Sequence, residues 1–113
     1  MPSMRIIAAV AALVAASAPA AAQNWPTRPV TMVVPYPAGA GVDLLGRILS
    51  PRLSELLGQQ VIVENIGGTG GMAGSARVAR SPPDGYAFVL GNTGTHAQNQ
   101  TLSKNPLYNA ATE

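Results

Sequence analysis

The sequence has no cysteine, one histidine and few charged side chains. Without cysteine, the chain has neither a disulfide framework nor a thiolate metal site, and one histidine leaves no all-protein zinc cage. Charged residues make up 11% and hydrophobic residues 47% of the 113 positions, which excludes an intrinsically disordered tail. Seven basic and five acidic residues are spread along the chain without a Lys/Arg run, so the charge indicates no nucleic-acid partner.

The first 22 residues have the layout of a secretory signal peptide. Arg5 precedes an apolar run from Ile6 to Ala16, and Ala20 and Ala22 fit the small-residue rule for cleavage after Ala22. The run is too short for a transmembrane helix, which needs about 20 apolar residues. We therefore expect a signal peptide over residues 1–22, Sec-dependent export to the periplasm, and no membrane insertion after cleavage. A buried Ala-rich helix is the alternative.

The remaining residues, 23–113, read as one small α/β unit. Apolar, β-branched runs predict strands at Val30–Val34, Val61–Glu64 and Tyr86–Leu90. Helical spacing predicts helices over Asp43–Leu57 and Met72–Arg80. The alternating order predicts a βαβαβ unit with a parallel sheet and right-handed crossovers.

The first helical pattern has large apolar residues on one side and polar residues on the other. The apolar positions are Leu44, Leu45, Ile48, Leu49, Leu53, Leu56 and Leu57, and the polar ones are Arg47, Arg52, Ser54 and Glu55. Gly58 stands where a helix-terminating glycine belongs. Pro51 lies inside the pattern and has no amide for the carbonyl of residue 47, so we expect the helix to kink or restart near Ser50.

Each predicted strand runs into a Gly-rich loop, at residues 35–43, 65–71 and 91–96. The carboxyl ends of parallel strands meet at one sheet edge, where α/β proteins bind ligands. Loops without bulky side chains let backbone amides approach a ligand, and the helix N-termini that follow favour an anion. Tight turns alone would also need glycine, but three such loops at one edge favour a ligand site.

Two side chains in these loops have more than one interpretation. Asp43 begins the first helix, so its carboxylate either caps amides and complements the helix dipole or contacts a ligand directly. His96 is the only imidazole, and no paired acid or nucleophile lies near it in sequence. Hydrolase chemistry of the Ser/His/Asp type is therefore not supported, and we expect a loop hydrogen bond at His96 and no enzymatic activity.

Residues Gly68–Ala73 match the glycine pattern of dinucleotide-binding loops, after a strand and before a helix. The ribose-binding acid expected at the end of the next strand is absent, because Leu90 is followed by Gly91, Asn92 and Thr93. A dinucleotide-binding enzyme fragment is therefore kept as an alternative function.

Six ordered stretches carry a resemblance that runs from residue 25 to about residue 108. They are Trp25–Val30, Val33–Gly39 with Asp43, Leu57–Gln59, Val63–Asn65 with Gly70–Gly71, Pro83–Tyr86, and Gly91–His96. Together they resemble the Bug/TctC family, the substrate-binding proteins of tripartite tricarboxylate transporters. The family resembles type II periplasmic binding proteins, in which two α/β domains close on a small ligand. The chain covers roughly the first third of a member, so residues 23–113 are expected to be the N-terminal part of such a receptor and the sequence to be truncated.

The resemblance also implies a ligand and a partner. The ligand would be a small carboxylate, such as a di- or tricarboxylate, an amino acid or an aromatic acid, delivered to membrane permease subunits without a cofactor or metal. The implied ligand-binding positions are Tyr36, Ala38, Gly39, Gly41, Asp43, Asn65, Gly70, Thr93, Thr95 and His96. A non-functional truncated remnant is the remaining alternative.

Overall fold

A computed structural model of the chain describes residues 24–113, so the expected signal peptide lies outside the described residues. The strands are β1 (Val30–Val34), β2 (Val61–Asn65) and β3 (Ala87–Val89). They form one parallel sheet in the order β2-β1-β3, in which Met32 pairs with Val63 on one side and Phe88 on the other. The predicted parallel βαβαβ unit is confirmed. Strand β2 extends one residue further than expected, to Asn65, and β3 is shorter than expected by one residue at each end.

Two helices connect the strands, and short helical turns follow β2 and β3. The main helices are α1 (Gly41–Leu57) and α2 (Met72–Ala79), and α3 spans Asn99–Leu102. A 3₁₀ turn at Thr69–Gly71 precedes α2, and a π-helical turn at Gly94–Gln98 precedes α3. Both predicted helices are confirmed, α1 beginning two residues earlier than expected. Among residues 24–113, none of the helices combines the length and apolar character needed to cross a membrane.

Helix α1 ends as predicted but does not restart at its proline. Gly58 has a left-handed φ of 68°, and its N–H donates to the Ser54 carbonyl at 3.0 Å. The helix continues through Pro51, so of the expected kink or restart near Ser50, the restart does not occur. Pro51 lies on the exposed side of α1, where water can replace the amide that the proline lacks. The Ser54 hydroxyl donates to the Ser50 carbonyl and accepts the Val61 N–H, which ties the helix end to β2.

The apolar side of α1 is largely exposed. Most of the large apolar side chains of the predicted pattern are between 44% and 66% exposed: Leu44, Leu45, Ile48, Leu49 and Leu56. The buried positions are Asp43 and Gly46. A Cβ at Gly46 would lie 3.1 Å from Val34 Cγ2 and 3.4 Å from Met32 Sδ. The helix therefore approaches the sheet along its smallest residue, and that close approach turns the leucines outward.

The core is centred on β1, the middle strand. Val30, Met32, Val33 and Val34 are all buried, as expected for a strand covered on both faces. With right-handed crossovers, the order β2-β1-β3 places α1 and α2 on opposite faces of the sheet. A second buried cluster joins α2 to the end of the chain through Met72, Ala76 and Tyr108.

The segment before β1 is held against the turn before β3. The Tyr86 hydroxyl accepts the Thr27 N–H at 2.9 Å and lies 3.1 Å from the Thr27 hydroxyl. These bonds, from the hydroxyl first and the amide second, lower the pKa of Tyr86 below its ordinary value. The Arg28 guanidinium lies 3.8 Å from the centre of the Tyr86 ring and 3.2 Å from Asp84 Oδ2. This clasp lies at the end of the sheet opposite the Gly-rich loops.

The first testable prediction concerns Gly74, where α2 crosses the end of β1. A Cβ at this position would lie 2.7 Å from the Ile66 carbonyl oxygen and 2.9 Å from Pro35 Cα. Because both neighbours are backbone atoms, we expect Gly74→Ala to lower the free energy of unfolding by about 1–3 kcal/mol in urea titrations followed by circular dichroism. Gly41→Ala is the control, since its Cβ meets nothing within 4 Å. Equal midpoints for the two variants would contradict the close packing of α2.

A second prediction tests the outward orientation of the leucines. Leu56 is 66% exposed, whereas Leu53, three residues earlier on the same helix, is half-buried. We expect Leu56→Gln to change the free energy of unfolding by less than about 0.5 kcal/mol and Leu53→Gln to lower it by more. The reverse order in the same urea titrations would show that the outer face of α1 is covered in solution.

Candidate functional site

The loops that follow the three strands meet around the side chain of Tyr36. A Cβ at Gly71, in the second loop, would lie 3.2 Å from the Tyr36 Oη, and so would a Cβ at Gly94, in the third loop. The Tyr36 hydroxyl donates to Asn92 Oδ1 at 3.0 Å. The first loop therefore contacts both others through one side chain, and the three loops lie together at one sheet edge, as the strand order predicts.

Asp43 organises the first loop from inside the protein. Its residue is 2% exposed, and its Oδ2 accepts the Gly39 N–H at 2.8 Å and Arg47 Nε at 3.0 Å. Its Oδ1 accepts Asn65 Nδ2 at 2.8 Å. The Asn65 amide also donates to the Tyr36 carbonyl at 3.1 Å, so it joins the first loop to the end of β2. Asp43 and Asn65 thus direct their polar atoms at the protein itself.

The same bonds determine the charge state of Asp43. The Gly39 amide, the Arg47 guanidinium and the Asn65 amide, in that order, lower the pKa of Asp43 to about 2, against the opposing effect of burial. The carboxylate is therefore ionised in all but strongly acidic solution, and Arg47 compensates its charge.

The second loop contacts Thr95 in the third loop and Asn99 in α3. Residues 68–71 all have positive φ, including the non-glycine Thr69 at 51°. The Asn99 amide donates to the Gly70 carbonyl at 2.9 Å, and a Cβ at Gly71 would lie 2.6 Å from Thr95 Cγ2. Of the glycines in the dinucleotide-like pattern, Gly71 is therefore buried against the third loop, whereas Gly68 and Gly70 stay exposed.

Thr95 is the buried centre of the third loop, at 0% exposure. Its hydroxyl accepts the Asn92 N–H at 2.9 Å, donates to the Asn92 carbonyl at 3.0 Å, and lies 2.7 Å from His96 Nδ1. The Thr95 carbonyl accepts the hydroxyl of Tyr108. Like Asp43, Thr95 uses its hydrogen-bonding groups within the protein.

An open pocket of about 400 Å³ lies beside the third loop. Its lining residues are Gly91, Asn92, Thr93, His96 and Ala97. A Cβ at Gly91 would lie 2.0 Å from His96 Cε1, so the absence of a side chain there makes room for the imidazole ring. A second cavity of about 230 Å³, between α2, β3 and the chain end, is also lined by His96.

The ten positions singled out from the sequence divide into four groups. Thr93 and His96 line the open pocket, and Ala38, Gly39, Gly41 and Gly70 are exposed elsewhere on the loops. Tyr36 and Asn65 are half-buried and join loops, whereas Asp43 and Thr95 are buried. Asn92, which also lines the open pocket, is not among the positions predicted from the sequence, although its place just after a strand end was the available signal. Among residues 24–113, no cluster of three His, Asp or Glu residues is placed to hold a metal ion.

A third prediction follows from the lowered pKa of Asp43. Because the folded pKa of about 2 lies below the ordinary aspartate value of 3.8, this carboxylate stabilises the fold fully at neutral pH and progressively less as the pH falls through 3.8 towards 2. We expect Asp43→Asn to be less stable than the parent chain at pH 7 and to show a smaller loss of stability between pH 5 and pH 2. The measurement is the urea midpoint at each pH.

Glu55→Gln is the matched control for Asp43→Asn. Glu55 also pairs with an arginine on α1, but both side chains of that pair are at least 66% exposed. Exposed pairs contribute little, so this variant should follow the acid profile of the parent chain. If Asp43→Asn followed that profile too, the buried network would not account for the acid sensitivity.

The chain matches the family model described as "Tripartite tricarboxylate transporter family receptor" over residues 45–111. It is 42% identical over 92 residues to a UPF0065 protein from the tcbD-tcbE intergenic region of Pseudomonas sp. (strain P51). It is 36% identical over 96 residues to protein BugT of Bordetella pertussis. These alignments cover 80% and 82% of this chain but 27% and 29% of the relatives, so the chain spans less than a third of their length.

Solved structures show the same similarity. The Rhodopseudomonas palustris protein Rpa4515, solved with adipate, superposes with a TM-score of 0.75 and 42% identity over 79% of this chain and 30% of its own. MatC from the same organism, solved with malate, superposes with a TM-score of 0.73 and 35% identity over 76% of this chain and 29% of its own.

The family match covers more than half of the chain, and these structures share the arrangement of its sheet. The resemblance seen in the sequence is therefore confirmed. The chain belongs to the tripartite tricarboxylate transporter receptor family.

Proposed function

We propose that this chain forms part of a periplasmic receptor that binds a small carboxylate and delivers it to the membrane permease subunits of a tripartite tricarboxylate transporter. Family membership supports the class of protein. The loops at the carboxyl edge of the sheet supply one wall of the ligand cleft, and a second domain of the type II arrangement supplies the other.

The observation that carries the proposal is the chemistry of the open pocket beside the third loop. Asn92 and Thr93 bring an amide and a hydroxyl to it, and none of the five lining residues is acidic. The nearby Asp43 is buried and compensated by Arg47, so it does not repel an anion at the surface. Neutral donors next to small residues suit a carboxylate, which accepts hydrogen bonds at both oxygens.

The relatives support the same ligand class. Rpa4515 was solved with adipate and MatC with malate, and both molecules are dicarboxylates. We assign ligand contact to Thr93, His96 and the exposed first-loop positions Ala38, Gly39 and Gly41. Tyr36, Asp43, Asn65 and Thr95 then act as positioning residues, because their polar groups bind other parts of the loops.

A receptor accounts for the site better than the dinucleotide-binding alternative does. In the Gly68–Ala73 pattern, Gly71 is buried against Thr95 and its N–H donates to the Gly68 carbonyl at 3.0 Å, so this amide is not open to a pyrophosphate. The hydroxyl nearest to His96 belongs to Thr95, which is fully buried and therefore unsuited to attack a substrate. We accordingly propose transport without catalysis, and export directed by residues 1–22.

The proposal is tested by thermal unfolding of the 113-residue chain against a carboxylate panel that includes adipate and malate. A ligand at a hundred times its dissociation constant stabilises the folded state by about 2.7 kcal/mol, so a binding carboxylate raises the melting temperature. Absence of any shift across the panel would refute carboxylate binding by this chain.

Two threonine variants locate the binding site. Thr93→Val removes a hydroxyl from the open pocket, and we expect it to weaken binding by about two- to tenfold, the usual net effect of one hydrogen bond. Thr101→Val makes the same chemical change at an exposed position of α3 and should bind like the parent chain. Equal affinities for both variants would place the ligand away from Thr93.

A further inference from the structure

The hydrogen bonds around the Thr95 hydroxyl determine which nitrogen of His96 carries the proton. A hydroxyl has one proton to donate and two lone pairs that accept. The Asn92 N–H can only donate, so it occupies one lone pair. The Asn92 carbonyl can only accept, and it lies 3.0 Å away, so it takes the hydroxyl proton.

The remaining lone pair of the Thr95 hydroxyl faces His96 Nδ1 at 2.7 Å. A bond at that distance then requires a proton on Nδ1. In the other assignment the hydroxyl donates to Nδ1. The bond to the Asn92 carbonyl is then lost, and lone pairs of the Thr95 hydroxyl oxygen and the Asn92 carbonyl oxygen face each other at 3.0 Å. The neutral imidazole therefore carries its proton on Nδ1, and its Nε2 is an acceptor.

The orientation of the Asn92 carboxamide follows from a similar argument. The Thr95 backbone N–H lies 3.2 Å from the carboxamide atom assigned as Oδ1, and an amide N–H can bond only to an acceptor. The Tyr36 hydroxyl donates to the same oxygen at 3.0 Å. Both bonds use the oxygen, and among residues 24–113 no acceptor is bonded to Nδ2, so its two N–H donors are available to a ligand in the pocket that Asn92 lines.

We propose that the open pocket presents a donor, Asn92 Nδ2, together with an acceptor, His96 Nε2, and so selects carboxylates that carry a neighbouring hydroxyl or amino group over plain carboxylates. The carboxylate accepts from Asn92, and the adjacent O–H or N–H donates to the imidazole. Both residues line the pocket, and the ring of His96 is fitted against Gly91, which limits its rotation. This selectivity deepens the receptor function proposed above and rests on it.

The protonation of His96 can be tested without a ligand. We expect ¹⁵N NMR of the neutral imidazole to show the proton on Nδ1. Thr95→Ser keeps the hydroxyl and should keep that tautomer, whereas Thr95→Val removes the hydroxyl and should shift the proton towards Nε2. A proton on Nε2 in the parent chain would overturn the proposal, whether or not the valine variant folds.

The ligand preference is tested with malate and succinate, which differ only by one hydroxyl. We expect malate to bind the 113-residue chain about tenfold more tightly than succinate in NMR titrations. His96→Asn keeps a nitrogen near the Nδ1 position but has none at Nε2, so it should lose the preference while still binding succinate. His96→Gln places its amide near the Nε2 position. Comparing its ligand preference with that of His96→Asn isolates the effect of a polar atom at that position.

The outcomes separate the two proposals. Equal affinities for malate and succinate would overturn the selectivity and leave the receptor function standing. Binding of neither acid, with no response to the wider carboxylate panel, would overturn carboxylate binding by this chain and the selectivity together. A malate preference that survives in His96→Asn would assign the hydroxyl contact to another group and overturn the role of His96.

Discussion

The candidate site depends on the position of Tyr36 at the end of the central strand. Its hydroxyl reaches Asn92 in the third loop, its ring packs against Gly71 in the second, and its carbonyl accepts the Asn65 amide from the end of β2. Because β1 lies between β2 and β3, a residue leaving its carboxyl end lies next to both neighbouring loops. The parallel sheet thus brings the three loops together, and the Tyr36 side chain packs between them.

Around this centre, the buried and the exposed polar groups have different tasks. Asp43 and Thr95 are nearly inaccessible, and each bonds to several groups of the chain. Buried polar groups are costly unless every bond is made, and these two make theirs within the loops. Thr93 and His96 lie in the open pocket, where a ligand can reach them. Burial is what distinguishes the residues that hold the loops from those able to contact a ligand.

The same distinction explains how far sequence reasoning could go. Strands, helices and the terminating Gly58 were predicted correctly because each depends on residues within one local segment. The outward orientation of the α1 leucines was not predicted, because it depends on contacts of Gly46 with Met32 and Val34 on β1. Leucine spacing alone marks a helix as amphipathic but does not say which side a neighbouring sheet can approach most closely.

The sequence by itself therefore determined the element order, the parallel sheet, the three Gly-rich loops at one edge and the family, since local patterns carry all of these. Only the tertiary structure decided which loop residues are accessible. The bonds from Tyr36 to Asn92 and from Asn65 to Asp43 join residues 56 and 22 positions apart. Contacts between distant segments leave no periodic trace in the sequence, because their geometry exists only after the sheet has brought the loops together.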